Sequence, residues 1–298
     1  MIDNYDDLSV LLDNLSPALK SVWAKSGQDE GDPSAFWLPL VGHAMDAAGV
    51  VGFLWDEWLS ESQKKVIADC FPPKDGRGSR VADRENIGAD LEEKISGDDH
   101  DTDPSSADRL DNARTFVVLA AALHDIGKIS KPFSRQIGRF ADQMAEQGLV
   151  TASQQSQEGK DNRWMKHGLA GAVAIEKVAP SLGWHRSVTT ALATLAGGHH
   201  GIPTQTTQLV IARKNRLHYL IDADPQDPWL DTQREFARFA ATYTEASDLS
   251  TPVTFTTSAL AIIQGLVMMA DWISSSTVYF HLTPSSDREF RYLRIVDG

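Results

Sequence analysis

The sequence predicts an all-helical protein, and three observations support this prediction. Apolar residues recur at helical spacing in the segments that carry them, most clearly in residues 39–59 and 258–273. Runs that alternate apolar and polar residues, which are typical of strands, are few. No internal repeat is visible, so a solenoid or a propeller is not indicated. We therefore expect a bundle of helices around one core.

The helices are expected wherever apolar residues recur every three or four positions and where proline or glycine then ends the pattern. The apolar run 115–122 must be buried in whatever conformation it adopts. One or two short helices are expected within residues 5–25. Longer ones are expected at about residues 39–59, 137–148, 164–179, 187–196, 231–243 and 258–273.

The composition permits one large domain and excludes several classes of protein. With 298 residues, 42% of them hydrophobic, the chain can bury a substantial core. A net charge of -13 argues against a protein that coats nucleic acid, although it allows a local cationic site. The N-terminus lacks the order of a signal peptide, and no apolar run reaches membrane-spanning length. We expect a single cytoplasmic domain over residues 1–298, without a membrane partner.

The single cysteine, Cys70, limits the kinds of site that the chain can build. One thiol cannot form an internal disulfide framework or a thiolate zinc cluster, and it suits a reducing cytoplasm. Any metal site in this protein must therefore be made from histidine, aspartate and glutamate side chains.

Residues 72–112 differ in composition from the rest of the chain. They contain 12 acidic and 6 basic residues, several glycines and serines, and few large apolar side chains. Such a segment buries too little apolar surface to become well ordered. We expect a mobile acidic insertion here, and we interpret His100, which stands among four aspartates, as part of a solvated charged run.

Residues 123–128 read Leu-His-Asp-Ile-Gly-Lys and follow directly on the apolar run. An imidazole and a carboxylate that enter a core together lose their hydration, and a bound cation is a common way to offset that cost. His124 and Asp125 are therefore predicted to be metal ligands. Gly127 and Lys128 do not form a phosphate-binding loop, because the required earlier glycine is missing and Ile129 follows the lysine.

Five more residues are candidate ligands because each lies at or near the end of a buried helix. His43 lies at the edge of an apolar stripe, and His167 lies in the first turn of its helix. His199 and His200 follow a helix that ends at two glycines. Asp271 lies in the last turn of the most apolar helix, where the macrodipole disfavours an acid unless a cation is near.

A single histidine near an apolar face is more often a core or capping residue than a ligand. We interpret His185, His218 and His281 in that way. The adjacent pairs 124–125 and 199–200 are harder to explain as core or capping residues, because burying two neighbouring polar groups doubles the desolvation cost.

Five imidazoles and two carboxylates are too many ligands for one metal ion and suit two. Asp125, next to a ligand histidine, is the natural bridging carboxylate. Imidazole ligands without thiolate favour two divalent transition-metal ions, Mn, Fe, Co or Ni, over Mg or Zn. Each ion is expected to have three ligands of its own: His43, His124 and Asp271 for the first, and His167, His199 and His200 for the second.

Such a pair of ions holds a phosphate oxygen and lowers the pKa of a water, so phosphoester hydrolysis is the expected reaction. Lys128, about one helical turn after His124, could place its ammonium on the phosphate and offset charge in the transition state. Asp125 and Lys128 are thus the predicted catalytic residues, and Lys128 is also a predicted substrate contact. The metal charges would make the pocket cationic inside an acidic protein.

The order His, His-Asp, His, His-His, Asp resembles the HD-domain superfamily of metal-dependent phosphohydrolases. The local sequences narrow the resemblance to the HD nuclease domain of the CRISPR-associated type I helicase-nuclease. It extends from about His43 to Phe280. The segments that carry it are 123–128 with Pro132-Phe133, Lys166-His167-Gly168, 198–203 and 270–275.

This resemblance implies an all-helical HD domain with a two-metal site that cuts single-stranded DNA. It implies two partners, an ATP-dependent helicase domain or subunit and an RNA-guided surveillance complex. The family's ligands fall on the seven residues named above, and its serine after the last aspartate falls on Ser275, a substrate contact. The family often has asparagine next, where this chain has Ser276. No helicase phosphate loop occurs in the sequence, so the chain is an excised domain or a separate subunit.

Two other functions are compatible with the same residues. An HD-type phosphodiesterase or nucleotide phosphohydrolase acting on a small cyclic nucleotide could use a similar site. Such an enzyme would be expected to carry a Gly-Tyr-Pro signature, and Gly201-Ile202-Pro203 lacks the tyrosine. A module that only binds a partner would have lost ligands, whereas every ligand position here is filled.

Overall fold

Helices form most of the part of the chain that the computed structural model describes, namely residues 1–2, 4–27, 36–72, 104–151, 166–214, 227–246 and 249–284. The all-helical prediction is therefore confirmed in its main feature. In chain order the helices are α1 (Tyr5–Asp13), α2 (Pro17–Ser21), α3 (Leu40–Phe53), α4 (Glu61–Ala68), α5 (Pro104–Leu123), α6 (Lys131–Ser134), α7 (Gly138–Glu146), α8 (His167–Val178), α9 (Arg186–Gly198), α10 (Thr206–Lys214), α11 (Pro228–Tyr243) and α12 (Thr257–Ser274). Short helical turns follow at Leu54–Trp58, Ile126–Lys128 and Ala179–Leu182.

A small antiparallel sheet was not expected from the sequence. Trp23 fits the helical pattern of residues 5–25, yet α2 ends at Ser21 and the chain continues as a strand. The Trp23 ring packs on Phe133 and Phe140, with centroids 4.3 and 5.3 Å apart. This tertiary contact outweighs the local periodicity. The strands, in the order β1-β2-β3, are β1 (Trp23–Ser26), β2 (Phe36–Pro39) and β3 (Thr283–Pro284).

The core lies among α3, α5, α8, α9 and α12. Helix α5 carries the predicted apolar run, and every residue from 116 to 123 is buried. On one side α5 packs against α3, which also contacts α12, and on the other side α8 packs against α9. Because apolar burial is the main source of stability, these contacts fix the position of the carboxyl end of α5.

The turn Ile126–Lys128 makes a very close contact with α8. A Cβ atom on Gly127 would lie 1.8 Å from the carbonyl oxygen of His167 and 2.4 Å from the backbone nitrogen of Gly171. No side chain larger than hydrogen fits at this position. The contact holds Asp125, just before the turn, beside the first residue of α8.

Length and composition alone would let α12 cross a membrane, which differs from the expectation that no apolar run is long enough. In the structure α12 packs against α3, α4, α5 and α9. It also carries the buried carboxyl group of Asp271 in its last turn. Packing inside the domain therefore accounts for the apolar residues on its inner face, whereas Trp272 and Ile273 are exposed.

Part of the predicted acidic insertion is helical. Residues 104–112 form the first turns of α5, where Leu110 packs against the core, so the predicted end of the insertion is wrong. Helix α10 was also not expected, because no helix was predicted between residues 196 and 231. Residues 73–103 with His100, residues 152–165 with the predicted start of the 164–179 helix, and His218 lie outside the described residues.

Candidate metal centre

Seven side chains from distant parts of the sequence converge at the carboxyl end of α5. They are the seven residues that the sequence predicts as metal ligands, and they come from α3, the end of α5, the start of α8, the end of α9 and the last turn of α12. Their nitrogen and oxygen atoms form two groups, each with all its atoms within 4.8 Å of one another: His43, His124, Asp125 and Asp271, and His167, His199 and His200.

Asp125 lies between the two groups and faces both. Its Oδ2 atom is 3.3 Å from the Nε2 atoms of both His43 and His124. Its Oδ1 atom is 3.2 Å from Nε2 of His167 and 3.5 Å from Nε2 of His199. The residue is only 2% exposed, so both oxygens are shielded from bulk water. This is the geometry of a carboxylate that could bridge two cations.

Asp271 completes the first group from the opposite side. Its Oδ1 atom is 3.3 Å from Nε2 of His43 and 3.5 Å from Nε2 of His124. The same oxygen accepts a hydrogen bond from Oγ of Ser275 at 2.9 Å and lies 3.3 Å from Nζ of Lys25. Ser275 therefore holds the carboxylate, while its predicted contact with substrate stays a prediction.

The second group consists of three imidazoles whose Nε2 atoms point at one another. Nε2 of His167 is 2.8 Å from Nε2 of His200 and 3.2 Å from Nε2 of His199. One proton can satisfy only one of these two nitrogen pairs, which leaves a lone pair without a donor. A cation between the three rings would satisfy all of them.

Two of the rings are fixed in orientation by their own helices. Nδ1 of His124 is 2.6 Å from the carbonyl oxygen of Ala121, and Nδ1 of His199 is 2.6 Å from the carbonyl oxygen of Ala196. Because a carbonyl only accepts, each Nδ1 carries the hydrogen and each Nε2 lone pair faces the cluster in the neutral ring. Metal-binding histidines are oriented in this way by an outer hydrogen bond.

Several buried atoms of the cluster make ion-pair contacts among the described residues but no hydrogen bond of normal geometry. They include Nε2 of His43, Nε2 of His124 and both side-chain oxygens of Asp125. Buried polar atoms are nearly always hydrogen-bonded, so such a concentration of lone pairs requires an explanation. Divalent metal ions fit this donor set of imidazole nitrogens and carboxylate oxygens.

The charges of the cluster follow from burial and from mutual attraction. Burial lowers the pKa of His43 and His200, and it lowers the pKa of His199 to about 3, so these rings are neutral at physiological pH. Burial also acts on His124, but the carboxylates of Asp125 and Asp271 outweigh it and raise its pKa to about 9. Without a metal, His124 thus supplies positive charge beside the two carboxylates.

Both carboxyl groups remain ionised in spite of their burial. Burial by itself raises the pKa of Asp125, but Lys128 and His124 hold it well below its ordinary value. The pKa of Asp271 is likewise lowered, since hydrogen bonds from His124 and His43 outweigh burial. The cluster therefore offers two negative charges to any cation that enters it.

Lys128 lies within the site, although its contacts are not those expected from the sequence. It stands on the short turn after Asp125, and its ammonium is 2.6 Å from Oδ2 of Asp125 and 2.8 Å from the carbonyl oxygen of Ala24. The residue is buried, which lowers the pKa of its ammonium. Its predicted phosphate contact stays a prediction, while its contact with Asp125 is a finding.

A groove of about 640 Å³ opens beside the cluster. It reaches the cluster at His167 and Lys128, and Ser275 forms part of its wall. Several other lining residues could not be predicted, because β1, β2 and the segment after α12 carry no motif and come together only in the fold. Among them are Lys25, Ser26, Phe36, Thr277 and His281, the last of which was interpreted as a structural histidine.

Comparison with known proteins finds related sequences over most of the chain. The sequence profile of the family described as "Cas3, HD domain" matches residues 23–280, which include all seven clustered side chains. The "CRISPR-associated nuclease/helicase Cas3" of Streptococcus thermophilus is 25% identical over 276 residues. That alignment covers 87% of this chain and 25% of the relative, so the chain spans about a quarter of its length.

Solved structures share the fold. A structure described as a CRISPR-associated protein has a TM-score of 0.63 and 23% identity, covering 90% of this chain and 24% of its own. The Thermus thermophilus cas3 HD domain, solved in the presence of Ni2+, has a TM-score of 0.51 and 18% identity. That match covers 92% of this chain and 84% of the Thermus chain, so the two have similar extents.

Proposed function

The chain belongs to the Cas3 HD domain family, and from this premise we propose that it is a metal-dependent nuclease that acts in CRISPR defence. One observation carries the proposal: the two oxygens of Asp125 face two separate groups of ligand atoms. That arrangement is expected of a hydrolase with two metal ions. The name of the Streptococcus relative, a nuclease/helicase, supports the same activity.

The seven clustered residues are the proposed ligands of two divalent ions, with Asp125 shared between them. Such ions, when bound, polarise a phosphoryl oxygen and make water a stronger nucleophile. Imidazole-rich ligation favours transition metals over Mg, and the proposed ions are Mn, Fe, Co or Ni in preference to Zn. The orphaned buried lone pairs of the cluster support this assignment.

Neighbouring residues fix the orientation of the proposed ligands. Lys128 keeps Asp125 ionised and fixed, and the Ser275 hydroxyl fixes the position of Asp271 by its hydrogen bond. The Nδ1 hydrogens of His124 and His199 hold their rings toward the centre. Lys128 also lines the groove, from which its ammonium could offset charge on a phosphate.

Single-stranded DNA is the proposed substrate, cut internally and also trimmed from its ends. The groove that leads to the cluster combines lysines with aromatic side chains, as sites for single strands do. The proposed partners are an ATP-dependent helicase domain or subunit and an RNA-guided surveillance complex. The nuclease/helicase name of the Streptococcus relative, of which this chain matches a quarter, supports the helicase partner. We propose that one HD domain spans residues 1–298 and works in the cytoplasm.

A direct test incubates the purified protein with single-stranded DNA, linear duplex and a cyclic dinucleotide, with Mn2+ or with a chelator and without ATP. We expect loss of the single strand in Mn2+ only, and no cutting by Asp125→Ala. The matched control is Asp142→Ala, which removes an exposed carboxylate on α7 and should cut normally. Consumption of the cyclic dinucleotide alone would instead favour the small-nucleotide phosphodiesterase, and a metal-loaded protein that cuts nothing would contradict both enzymes.

A further inference from the structure

The groove beside the cluster is lined by two side chains that have no part in the proposed metal chemistry. Lys25 on β1 lies at its inner end, where its ammonium is 3.3 Å from Oδ1 of Asp271, and its side chain is 29% exposed. Phe36 on β2 lies in the same wall and is 45% exposed. A partly exposed ammonium and an exposed aromatic ring therefore lie in the wall of the groove beside the buried cluster.

The sheet sets the distance between these two residues. Lys25 pairs with Leu38 in the antiparallel ladder, and Phe36 is two residues from Leu38, so all three side chains belong to one face. Diagonal neighbours of this kind lie roughly 7–8 Å apart. A backbone hydrogen bond of 2.8 Å from Gly27 to the carbonyl oxygen of Phe36 fixes the same end of the hairpin. Both side chains therefore lie along the same wall of the groove, where one bound strand could contact both.

Lys25 and Lys128 differ in how firmly they are held. Lys128 is buried, and its ammonium is held in place by Asp125 and by a backbone carbonyl. Lys25 lies on a partly exposed, flexible stem, and its one ion pair with a described residue joins it to an oxygen of Asp271 at 3.3 Å. Positive charge bound at Asp271 would weaken that contact by repulsion and leave the Lys25 ammonium available to the groove.

Phe36 supplies the aromatic ring that a site for single-stranded nucleic acid needs in addition to a cation. Strand-binding proteins combine cations that follow the backbone with aromatic rings on which bases stack, and stacking tolerates any base. Trp23 and Phe133, which also line the groove, are buried and pack on each other, so they form its floor. Among the described lining residues, Phe36 is an exposed phenyl ring, and the imidazole of His281 is the other exposed ring.

We infer that the groove holds the strand to be cut, with Lys25 binding a phosphate next to the cluster and Phe36 stacking on the neighbouring base. The inference rests on the proposed nuclease function and extends it by naming the residues that position the substrate. Neither residue would read sequence, because neither offers a base-specific hydrogen bond. Both would select a single strand, whose bases are free to stack.

The test measures binding separately from cutting. A fluorescent phosphorothioate oligothymidine, which keeps its charge but resists hydrolysis, is titrated into the Mn2+-loaded protein at several salt concentrations. We expect Lys25→Ala to weaken binding about fivefold or more and to reduce the salt slope by about 0.7, the value for one phosphate contact of a single strand. Lys25→Arg should restore most of the affinity. The control Lys65→Ala removes an exposed lysine on α4 and should change neither quantity.

Phe36→Ala should weaken binding about fivefold or more without changing the salt slope, because stacking involves no counterion release. Phe36→Tyr should keep the affinity. The matched control is Phe53→Ala, which removes a ring on α3 that is also exposed. An unchanged affinity of the Lys25→Ala protein, or equal losses for Lys25→Ala and Lys65→Ala, would overturn the inference.

Metal content and hydrolysis of bis(p-nitrophenyl) phosphate, a diester too small to span the groove, distinguish a binding role from a structural one. For Lys25→Ala we expect kcat/KM for DNA to fall at least about fivefold more than kcat/KM for the small diester, chiefly through a higher KM for DNA. If metal content and small-diester hydrolysis fell as much as DNA binding, Lys25 would merely position Asp271, and the inference would be wrong. A parent protein that binds the strand through Lys25 yet cuts nothing would support the groove and contradict the nuclease.

Discussion

Asp125 is the residue on which the electrostatics of the centre depend. A buried carboxylate is stable only when positive charge is close, and here Lys128, at 2.6 Å, provides it together with His124. The four histidine contacts of Asp125 divide between its two oxygens, so each oxygen belongs to a different group. A substitution of Lys128 should therefore change the charge balance of both groups.

We expect Lys128→Met to destabilise the metal-free protein by about 3–5 kcal/mol, because it leaves Asp125 buried with less compensating charge. Metal ions would supply the missing charge, so Mn2+ should recover a large part of that loss. Urea unfolding with and without Mn2+ measures both effects. Lys65→Met, at an exposed ion pair on α4, should change stability by no more than about 0.5 kcal/mol. A Lys128→Met protein as stable as the parent would show that the ion pair has no such role.

The state of His124 leads to a pH prediction. Its pKa is raised to about 9, so in the metal-free protein the ring is protonated at neutral pH. A metal ion requires the neutral ring, so binding must release this proton and affinity should rise with pH, by about tenfold per unit, until about pH 9. Calorimetry at pH 7 in two buffers of different ionisation enthalpy counts the protons released. Metal affinity that does not change between about pH 6 and pH 8 would contradict the assignment.

At the scale of elements, the contact between the Ile126–Lys128 turn and α8 brings the two groups together. Asp125 precedes that turn and His167 is the first residue of α8, so any separation of the two elements would pull the shared carboxylate away from the second group. Gly127 permits the contact because it has no side chain. The chemistry of the cluster thus depends on a packing detail that involves no ligand atom.

Gly127→Ala should therefore cost about 3 kcal/mol or more of stability and lower the metal content, because the new Cβ overlaps the backbone of His167. Unfolding in urea and metal analysis measure the two effects. The control is Gly49→Ala on α3, where an added Cβ meets nothing within 4 Å. That helical substitution should stabilise the protein by about 0.5–1 kcal/mol. Equal behaviour of the two variants would contradict this account of the contact.

The helices could be predicted where local periodicity and core packing agree. Helices α3, α9 and α12 carry wide apolar faces, and their predicted limits differ from the observed ones by only a few residues. The sheet could not be predicted, because Trp23 continues a helical pattern and its strand depends on Phe133 and Phe140. Residues 104–112 were missed for the opposite reason: their polar composition conceals a helix that α4 and the core support.

At the scale of the whole molecule, the seven clustered side chains could be located from sequence because burying polar residues at helix ends demands compensation. Their spacing in the sequence suggests that they converge, but the convergence itself depends on how the helices pack. Lys25, Phe36 and His281 could not be identified in this way, since a partly or fully exposed residue outside the helices carries no comparable signal. Polar residues that are costly to bury can therefore be predicted from the sequence, whereas residues that line an open groove cannot.

The cluster also connects metal binding to the stability of the whole domain, because it joins α3, α5, α8, α9 and α12. An ion that binds only the folded state stabilises it by about 2.7 kcal/mol at one hundred times its dissociation constant, and two ions contribute more. A chelator should therefore lower the thermal midpoint of the parent protein by several degrees. Asp125→Asn should show little response to the chelator, whereas Asp142→Asn should respond like the parent. No shift in the parent would argue against bound ions in the core.

The three helices that carry Leu123, Gly198 and Ser274 at their last positions all finish at the cluster, each with its C-terminal end inward. Every such end contributes roughly half a unit of negative charge from its unpaired carbonyls. The N-terminal ends of α3 and α8 also lie at the cluster and oppose this charge, so the backbone leaves a small net attraction for cations before any carboxylate is counted. A protein with a net charge of -13 thus keeps, at its centre, a place where cations and a charged phosphate can meet.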